Sequence, residues 1–486
     1  MYNNLKYNET SVGGTMNKKR FLELFKVTFS NFMLLLAGVV TSFILPKYFD
    51  LEDFGYYKIF NLYTTYIIVL QFGISEGLYL KYGGKSIENI NRNEFSSYFK
   101  ALAVIDICIA FLLFSISIFF LHGDYKFIIA ILSVNVIILN ITNLYQYISQ
   151  AISHFTELAV RNTIKSMLIV LAVISIAVLN VNFPHLYSGY KLYIILLTII
   201  NFALMLWYLE TYRTITKYKI KIDFQAVFKI IKIGFPLCLS NIISTLILAI
   251  DRQMVSMLFE TSQYAIYAFA YSLLTLASTI ISSIAVVFFP ILKQKNREVL
   301  SERYCDIVGL LDIAVSFLII LYFPLCAFIE MFLPAYKESL EIFRIIIPGL
   351  VLSSPTTVVI HNYFKAYDIN IHFFIRSLVI LVLSAIANGI AYVISGTMAS
   401  ISAASVIVIF LWYIVEEQRL KKEFEFSSMP LIIYMLTICL AFYLSSLIER
   451  WYVGMFSYLF LFVVISIIIC PRLIKLILKM IKRRIS

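Results

Sequence analysis

Charge is scarce in this sequence. Asp, Glu, Lys and Arg make up 14% of the 486 residues, while 61% are hydrophobic. Soluble chains run about 25% charged and about 45–50% apolar, so a water-soluble globule is excluded by the apolar surface it would have to hide. With a mean hydropathy of +0.88, the chain reads as a polytopic membrane protein whose apolar area faces lipid. Its long unbroken apolar runs favour helices over the roughly 10-residue alternating strands of a membrane barrel.

Paired cysteines are missing too. Cys108, Cys238, Cys305, Cys326, Cys439 and Cys470 form no C-x-x-C pair and mostly lie inside apolar runs, which points to reduced, buried thiols. There is no HExxH, GxSxG, Walker loop or metal-spaced Cys/His cluster, and His122, His154, His185, His361 and His372 are scattered. No loop is long enough to hold a soluble domain or the chemistry of a membrane glycosyltransferase. Neither an enzyme nor a metal site is expected. Nor is a cleavable signal, because the polar stretch Met1 to Asn17 and the basic Lys18-Lys19-Arg20 precede a first span of full length.

What is present is a series of fourteen apolar segments. They run over about 25–46, 57–80, 98–121, 127–151, 159–181, 187–209, 233–257, 264–291, 304–328, 341–363, 371–394, 397–416, 429–448 and 453–475. With the N-terminus in the cytoplasm and sides alternating, 32 of the 40 Lys and Arg residues fall on the inner side. The other eight are Lys47, Lys58, Lys126, Lys191, Arg252, Lys337, Arg344 and Arg450, near or beyond the outer face. That asymmetry predicts cytoplasmic termini and an even number of spans. The net charge of +12 then serves topology and contact with anionic lipid heads, not nucleic acid. The C-terminal KLILKMIKRRIS reads as a basic amphipathic tail on the inner leaflet.

An internal repeat adds organisation. YFKALAVIDICIAFLLF from Tyr98 aligns with YCDIVGLLDIAVSFLII from Tyr304, pairing Asp106 with Asp312 and Phe111 with Phe317. Both segments are third in a block of six, as in transporters with parallel duplicated halves. The expected division is a cytoplasmic tail 1–20, a six-helix lobe 21–215, a basic linker 216–232, a second six-helix lobe 233–420, two further spans 421–476 and a basic tail 477–486. The expected fold is all-α, with about 14 transmembrane helices.

Polar groups inside spans are costly and face a cavity or another helix. In span four, Asn140, Asn143, Tyr147, Gln150 and His154 follow at steps that place them on one helical face. Span two carries Asn61, Thr64, Gln71 and Ser75 on a similar stripe, with Glu76 beside it. Span eight carries Ser272, Thr275, Ser278, Thr279, Ser282 and Ser283. Large amides pack poorly, so the span-four stripe reads as the wall of a hydrated cavity; the small hydroxyl residues of span eight read as close helix packing, as do Gly396, Ser400 and Ala404. Pro348 and Pro355 should kink span ten beside His361 and Asn362, as a static bend or a gating hinge. Glu157, Arg161 and Lys165 share a stripe in span five, and Arg376 lies near the inner end of span eleven; long basic stems can also snorkel to the interface. Asp106, Asp312, Asp251 and Glu76 remain as ion-coupling or structural groups.

One further stretch, TLILAIDRQMVSMLF, sets Asp251 and Arg252 side by side in an apolar helix. Asp251 lies about 28 Å along a straight helix from Lys232, which puts its neighbour Arg252 near the outer edge of a core about 30 Å thick. It is either an outer-rim anchor or part of a cavity wall.

The segment FILPKYFDLEDFGYYKIFNLYTTYIIVLQFGISEGLYLKYGGK carries a resemblance. Its Lys47-Tyr48, Glu52-Asp53, Gly55-Tyr56, Gly73 and Tyr82 are similar to the span-one and span-two pattern of bacterial lipid-linked oligosaccharide flippases, a MATE-like transporter family of O-antigen and capsule synthesis. Ala265 departs from the Gly usual at the start of span eight. The resemblance implies two lobes around a central cavity that opens alternately to each side of the bacterial cytoplasmic membrane. The implied cargo is an isoprenoid diphosphate bearing an oligosaccharide, with anionic lipids and possible polysaccharide polymerase contacts as partners. No cofactor is implied beyond a coupling H+ or Na+. Placement in the spans nominates Arg252, Arg161, Lys165 and Arg376 for the diphosphate. It nominates Asn61, Gln71, Asn140, Asn143, Tyr147, Gln150 and His361 for sugars. The alternatives are a multidrug exporter of the same superfamily, whose cavity should be acidic or apolar, and a membrane enzyme of glycan assembly.

Overall fold

The computed structural model describes residues 18–183, 189–216, 222–293, 297–366, 370–424, 426 and 428–476. The stretch 1–17 and the basic tail 477–486 lie outside the described residues, as do the side chains of Ser282, Ser283 and His372. All regular structure among the described residues is helical.

Helix α1 (Lys18–Tyr48) opens the bundle. The second apolar segment is not one helix. Its first part, α2 (Leu51–Ile67), starts on Asp50, whose side chain accepts a hydrogen bond from the Asp53 amide and so caps a helix end that would otherwise lack a partner. A tight 3-10 turn over Ile68–Gln71 then runs through Phe72 (φ 52°) and Gly73 (φ 81°) into α3 (Ile74–Tyr82). Two successive left-handed residues end a helix. The expected continuous stripe from Asn61 to Glu76 is therefore split, with Asn61 and Thr64 on α2, Gln71 in the turn, and Ser75 and Glu76 on α3.

Four long helices follow: α4 (Arg92–Phe120), α5 (Gly123–Ala151), α6 (Phe155–Asn182) and α7 (Gly189–Thr211), with a short α8 (Arg213–Thr216). The span-four stripe is shorter than the spacing predicts. The chain turns at Ser153 (φ 62°), so His154 stands at the start of α6 and not on the α5 face.

Helix α9 (Phe224–Ile247), capped by Asp223, also stops early. The backbone breaks at Leu248 and Ala249 before α10 (Ile250–Leu258) begins. Asp251 and Arg252 thus occupy the first turn of a new helix, which corrects the straight-helix picture. Beyond it lie α11 (Thr261–Lys293), α12 (Arg297–Leu318) and α13 (Tyr322–Phe332). The two prolines of span ten divide it into α14 (Ser339–Ile346), α15 (Gly349–Ser354), a π-helical turn over Pro355–Ile360 and α16 (His361–Ala366). The axis bends by 42° between Ser339–Ile346 and Gly349–Phe364, the expected effect of losing backbone donors at Pro348 and Pro355. Helices α17 (Asn370–Ser395), α18 (Met398–Phe424), α19 (Met429–Ser446) and α20 (Trp451–Ile469) follow, and the described chain is helical again over 471–476.

Among the described residues, twelve stretches are long and apolar enough to cross a membrane, and the bent α14–α16 segment makes thirteen. The remaining apolar segment is the broken α2–α3 pair. Phe111, Phe119 and Phe120 stand exposed on α4, a surface that lipid accepts and water does not. The chain is an all-α polytopic membrane protein. All six cysteines are free; Cys238, Cys439 and Cys470 are buried, but Cys108 is exposed, contrary to the buried-thiol expectation.

Packing sets the environment of α2 and α3. Helix α1 lies on α6, α2 on α11, and α3 on α9. The α3–α9 contact is backbone against backbone. A Cβ on Gly234 would overlap the Gly73 carbonyl oxygen and the Gly77 amide, and one on Gly77 would overlap the Ile230 carbonyl oxygen. At the far end of α2, a Cβ on Gly55 would overlap the Thr261 carbonyl oxygen at the start of α11. Helices α19 and α20 pack on α12 and α13, where Tyr458 donates to the Ser316 carbonyl at 2.7 Å.

Candidate functional site

Two cavities flank α2. The first, about 260 Å³, lies between α1, α2, α10 and α11 and is lined by Lys58, Asn61, Arg252, Tyr271, Ser272 and Thr275, among others. The second, about 340 Å³, lies between α1, α2, α5, α6 and α7, and its polar lining includes Thr41, Lys58, Asn61, Thr64, Asn135, Lys165 and Asn201. Leu34, Gly38, Ser42, Lys58 and Asn61 line both, so the cavities meet along the α1–α2 seam. Among the described residues, neither lining contains an Asp or Glu.

The break before α10 explains how Arg252 reaches the first cavity. It frees the Leu248 carbonyl, which accepts from Arg252 Nη2 at 2.9 Å. The guanidinium lies over the Tyr271 ring, 4.9 Å from its centroid. Asp251, next in the chain but about 100° away around the helix, points into the protein and is buried. Its carboxylate accepts from Tyr267 Oη at 2.7 Å, from Tyr271 Oη, and from the Arg252 backbone amide at 2.7 Å. Ser402 Oγ on α18 donates to Tyr267 Oη at 3.4 Å.

Lys58 was legible in the sequence only as one of the outer-face charges. Its ammonium lies over the Phe54 and Tyr57 rings, 5.0 and 5.3 Å from their centroids, at the seam shared by both cavities. Its i, i+3 spacing from Asn61 on α2 was the signal available. Lys58, Lys165 and Arg252 have no carboxylate in ion-pair contact among the described residues.

The other nominated residues lie elsewhere. Arg161 is buried between α6 and α7, donating to Glu157 Oε2 at 3.2 Å and Thr211 Oγ1 at 2.7 Å, with its guanidinium 4.1 Å from the Tyr208 ring centroid. Arg376 donates to Glu416 Oε2 from Nε and Nη2, at 3.0 and 2.6 Å, and Glu416 is fully buried. Gln71 is buried and accepts from Ser75. Asn140 donates to Asp106 Oδ1 at 2.7 Å, both side chains being buried. Tyr147 donates to Glu76 at 3.3 Å, Asn143 is half-buried, and Gln150 is exposed at the end of α5. His361 stacks on Phe373, their ring centroids 4.6 Å apart. Asp312 is buried, and neither of its oxygens has a hydrogen-bond partner among the described residues. Of the nominated groups, Arg252, Lys165 and Asn61 line the two cavities. Ser272, Thr275 and Thr279, expected to be packing residues, face the first cavity as well.

Comparisons with known proteins follow the same lines. The fold is similar to that of a lipid II flippase, MurJ, in an inward closed conformation, with a TM-score of 0.70 at 15% identity over 93% of this chain and 100% of that one. It is also similar to an inward-facing multidrug resistance MATE family transporter of the MOP superfamily, with a TM-score of 0.55 at 15% identity over 83% and 98% of the two chains. A MOP superfamily transporter from Pyrococcus furiosus, described as having a binding pocket of reverse polarity, aligns with a TM-score of 0.54 at 12% identity over 85% and 99%. No curated protein matches the sequence. The family described as polysaccharide biosynthesis protein matches residues 24–296, more than half of the chain. The chain belongs to the polysaccharide biosynthesis protein family.

Proposed function

We propose that this protein is a flippase that carries polyprenyl-diphosphate-linked oligosaccharides from the inner to the outer leaflet of a bacterial cytoplasmic membrane, for assembly of a surface polysaccharide. The observation that carries this reading is the lining of the paired cavities, which among the described residues holds three cations and no acid, with amides and hydroxyls between them. Cations without acidic partners attract an anion, and the surrounding donors and acceptors suit sugar hydroxyls. Family membership and a fold shared with a lipid II flippase support it.

In this reading Arg252 and Lys58 hold the diphosphate and Asn61 contacts the sugars. Arg376 joins α17 to α18 through Glu416, and Arg161 joins α6 to α7 through Thr211 while its charge is matched by Glu157 on its own helix. The α2–α3 pair serves as the fourteenth crossing, and both termini are cytoplasmic. The lobes 21–215 and 233–420 meet where α2 and α3 touch α11 and α9. Opening one of these contacts at a time gives alternating access, and the lipid tail stays in the bilayer. Moving two negative charges outward across an inside-negative potential gains roughly 2.3 kcal/mol per charge per 100 mV. An exporter of organic cations would need acidic groups where this cavity presents Lys58, Lys165 and Arg252.

The test is reconstitution. Purified protein in liposomes should speed the crossing of a polyprenyl-diphosphate oligosaccharide and not that of an organic cation. A deletion strain should lose surface polysaccharide and accumulate lipid-linked repeat units on the inner leaflet. Normal polysaccharide with new drug sensitivity would overturn the proposal.

A further inference from the structure

Resting on the flippase reading, we propose that the transported glycan itself bears an anionic sugar, and that Lys165 is the residue that selects it. The two cavities differ in composition. The first is walled by Arg252 and by the hydroxyls of Ser272, Thr275 and Thr279 on α11. The second contains Asn61, Asn135 and Asn201, the threonines Thr41 and Thr64, and the rings of Tyr57 and Tyr193. Those two rings meet edge to face with centroids 5.2 Å apart. Asn135 already donates to the Ile131 carbonyl and to Thr198 Oγ1, so the amides of Asn61 and Asn201, which both donate and accept, are the groups suited to pyranose rings, beside aromatic surfaces. A neutral oligosaccharide would be satisfied by them alone.

Lys165 is the element that a neutral sugar does not explain. It projects from α6 into this amide-rich cavity, which it shares with Lys58 but not with Arg252. It has no ion-pair partner among the described residues, and no Asp or Glu lines the space it faces. One turn earlier on the same helix, Arg161 shows the contrast: its charge is matched by Glu157. An ammonium held in a membrane interior without a counter-charge is costly unless its ligand supplies one. The diphosphate is assigned to Arg252, across the α1–α2 seam, and to Lys58, at the seam itself. The ligand charge for Lys165 must therefore come from the sugars, as a carboxylate or a phosphate substituent on one ring.

The experiment uses the full-length protein in liposomes with three lipid-linked cargoes of equal length. One glycan is neutral, one has a hexose replaced by its uronic acid, and one carries a phosphate ester on the same hexose. The readout is the ratio of crossing rates, anionic to neutral, for each protein variant. Wild type should favour at least one anionic cargo by about tenfold, the effect of one charge-assisted hydrogen bond. Preference for the uronate identifies a carboxylate ligand, and preference for the ester identifies a phosphate. Lys165→Ala should bring the ratio below about twofold, Lys165→Arg should keep most of it, and Lys165→Glu should invert it. A wild-type ratio near one, or a ratio unchanged in Lys165→Ala, overturns the inference while leaving the flippase reading intact. Failure of wild type to move any of the three cargoes overturns the flippase reading, and this inference with it.

Discussion

The Arg252 guanidinium lies over the Tyr271 ring, 4.9 Å from its centroid, while the hydroxyl of that same ring is tied to the buried Asp251 carboxylate. Asp251 therefore reaches the cavity indirectly. It holds the platform on which its neighbour rests, and it faces away from the cavity itself.

Arg252 is expected to carry most of the diphosphate contact. Arg252→Ala should lower the crossing rate by about tenfold to a hundredfold, the range for losing a charge-assisted hydrogen bond. Arg252→Lys should keep part of the rate, because a point charge remains but the planar fork and its stacking on Tyr271 are gone. A near-normal rate in the Ala variant would leave Arg252 with only a rim role.

Tyr271→Phe keeps the ring and removes its tether. The expected result is a fall of about threefold to tenfold in crossing rate, with apparent cargo affinity weakened more than maximal rate, since Arg252 loses its orientation and keeps its charge. Tyr267→Phe alters the same carboxylate without touching the cation platform and should have the smaller effect. Equal losses in both variants would point to fold damage instead.

The glycine contact between α3 and α9 should be a closure. Gly234→Ala adds a methyl where the Gly73 carbonyl and the Gly77 backbone already sit, so the closed arrangement should lose about 1–3 kcal/mol by overpacking. In a background without the six native cysteines, a Thr65→Cys probe in the first cavity should then react faster with a polar thiol reagent from the side where α9 begins. Gly55→Ala should raise its reactivity from the opposite side. Identical labelling in all three backgrounds would argue that these contacts never open.

Arg376 and Glu416 should matter to stability. Glu416 is fully buried and Arg376 is one-fifth exposed. Removing one partner of such a pair leaves an unpaired buried charge, at about 3–5 kcal/mol. Glu416→Ala should lower the melting temperature of the detergent-solubilised protein markedly. The combined replacement Arg376→Met with Glu416→Leu should recover much of it. If Glu416→Ala melted normally but did not transport, Arg376 would belong with the cargo contacts.

How much of this was legible beforehand depends on the range of the interaction concerned. The membrane class and the sites of most helices followed from local hydropathy. The bend in span ten followed from Pro348 and Pro355. The breaks at Phe72-Gly73 and at Leu248-Ala249 did not, because apolar residues on both sides of each break continue the helical pattern. Facing was the least accessible property. Asn140 looked like a cavity amide and instead binds Asp106, whereas Lys58 looked like a topology signal and sits where two cavities join.

The sequence by itself determined that the chain lives in a bilayer as a set of helices, because those properties are sums over consecutive residues. Only the tertiary structure decided which charges share a space. Arg161, Lys165, Arg252 and Arg376 are equivalent as intramembrane cations when read along the chain. They separate in the fold: Arg161 pairs with Glu157 on its own helix, Arg376 pairs with Glu416 where α17 meets α18, Arg252 turns to a cavity where α9 breaks before α10, and Lys165 faces the other cavity, because a charge's partner depends on which groups packing brings within reach. Two of the four are matched by a glutamate and two face a cavity without one.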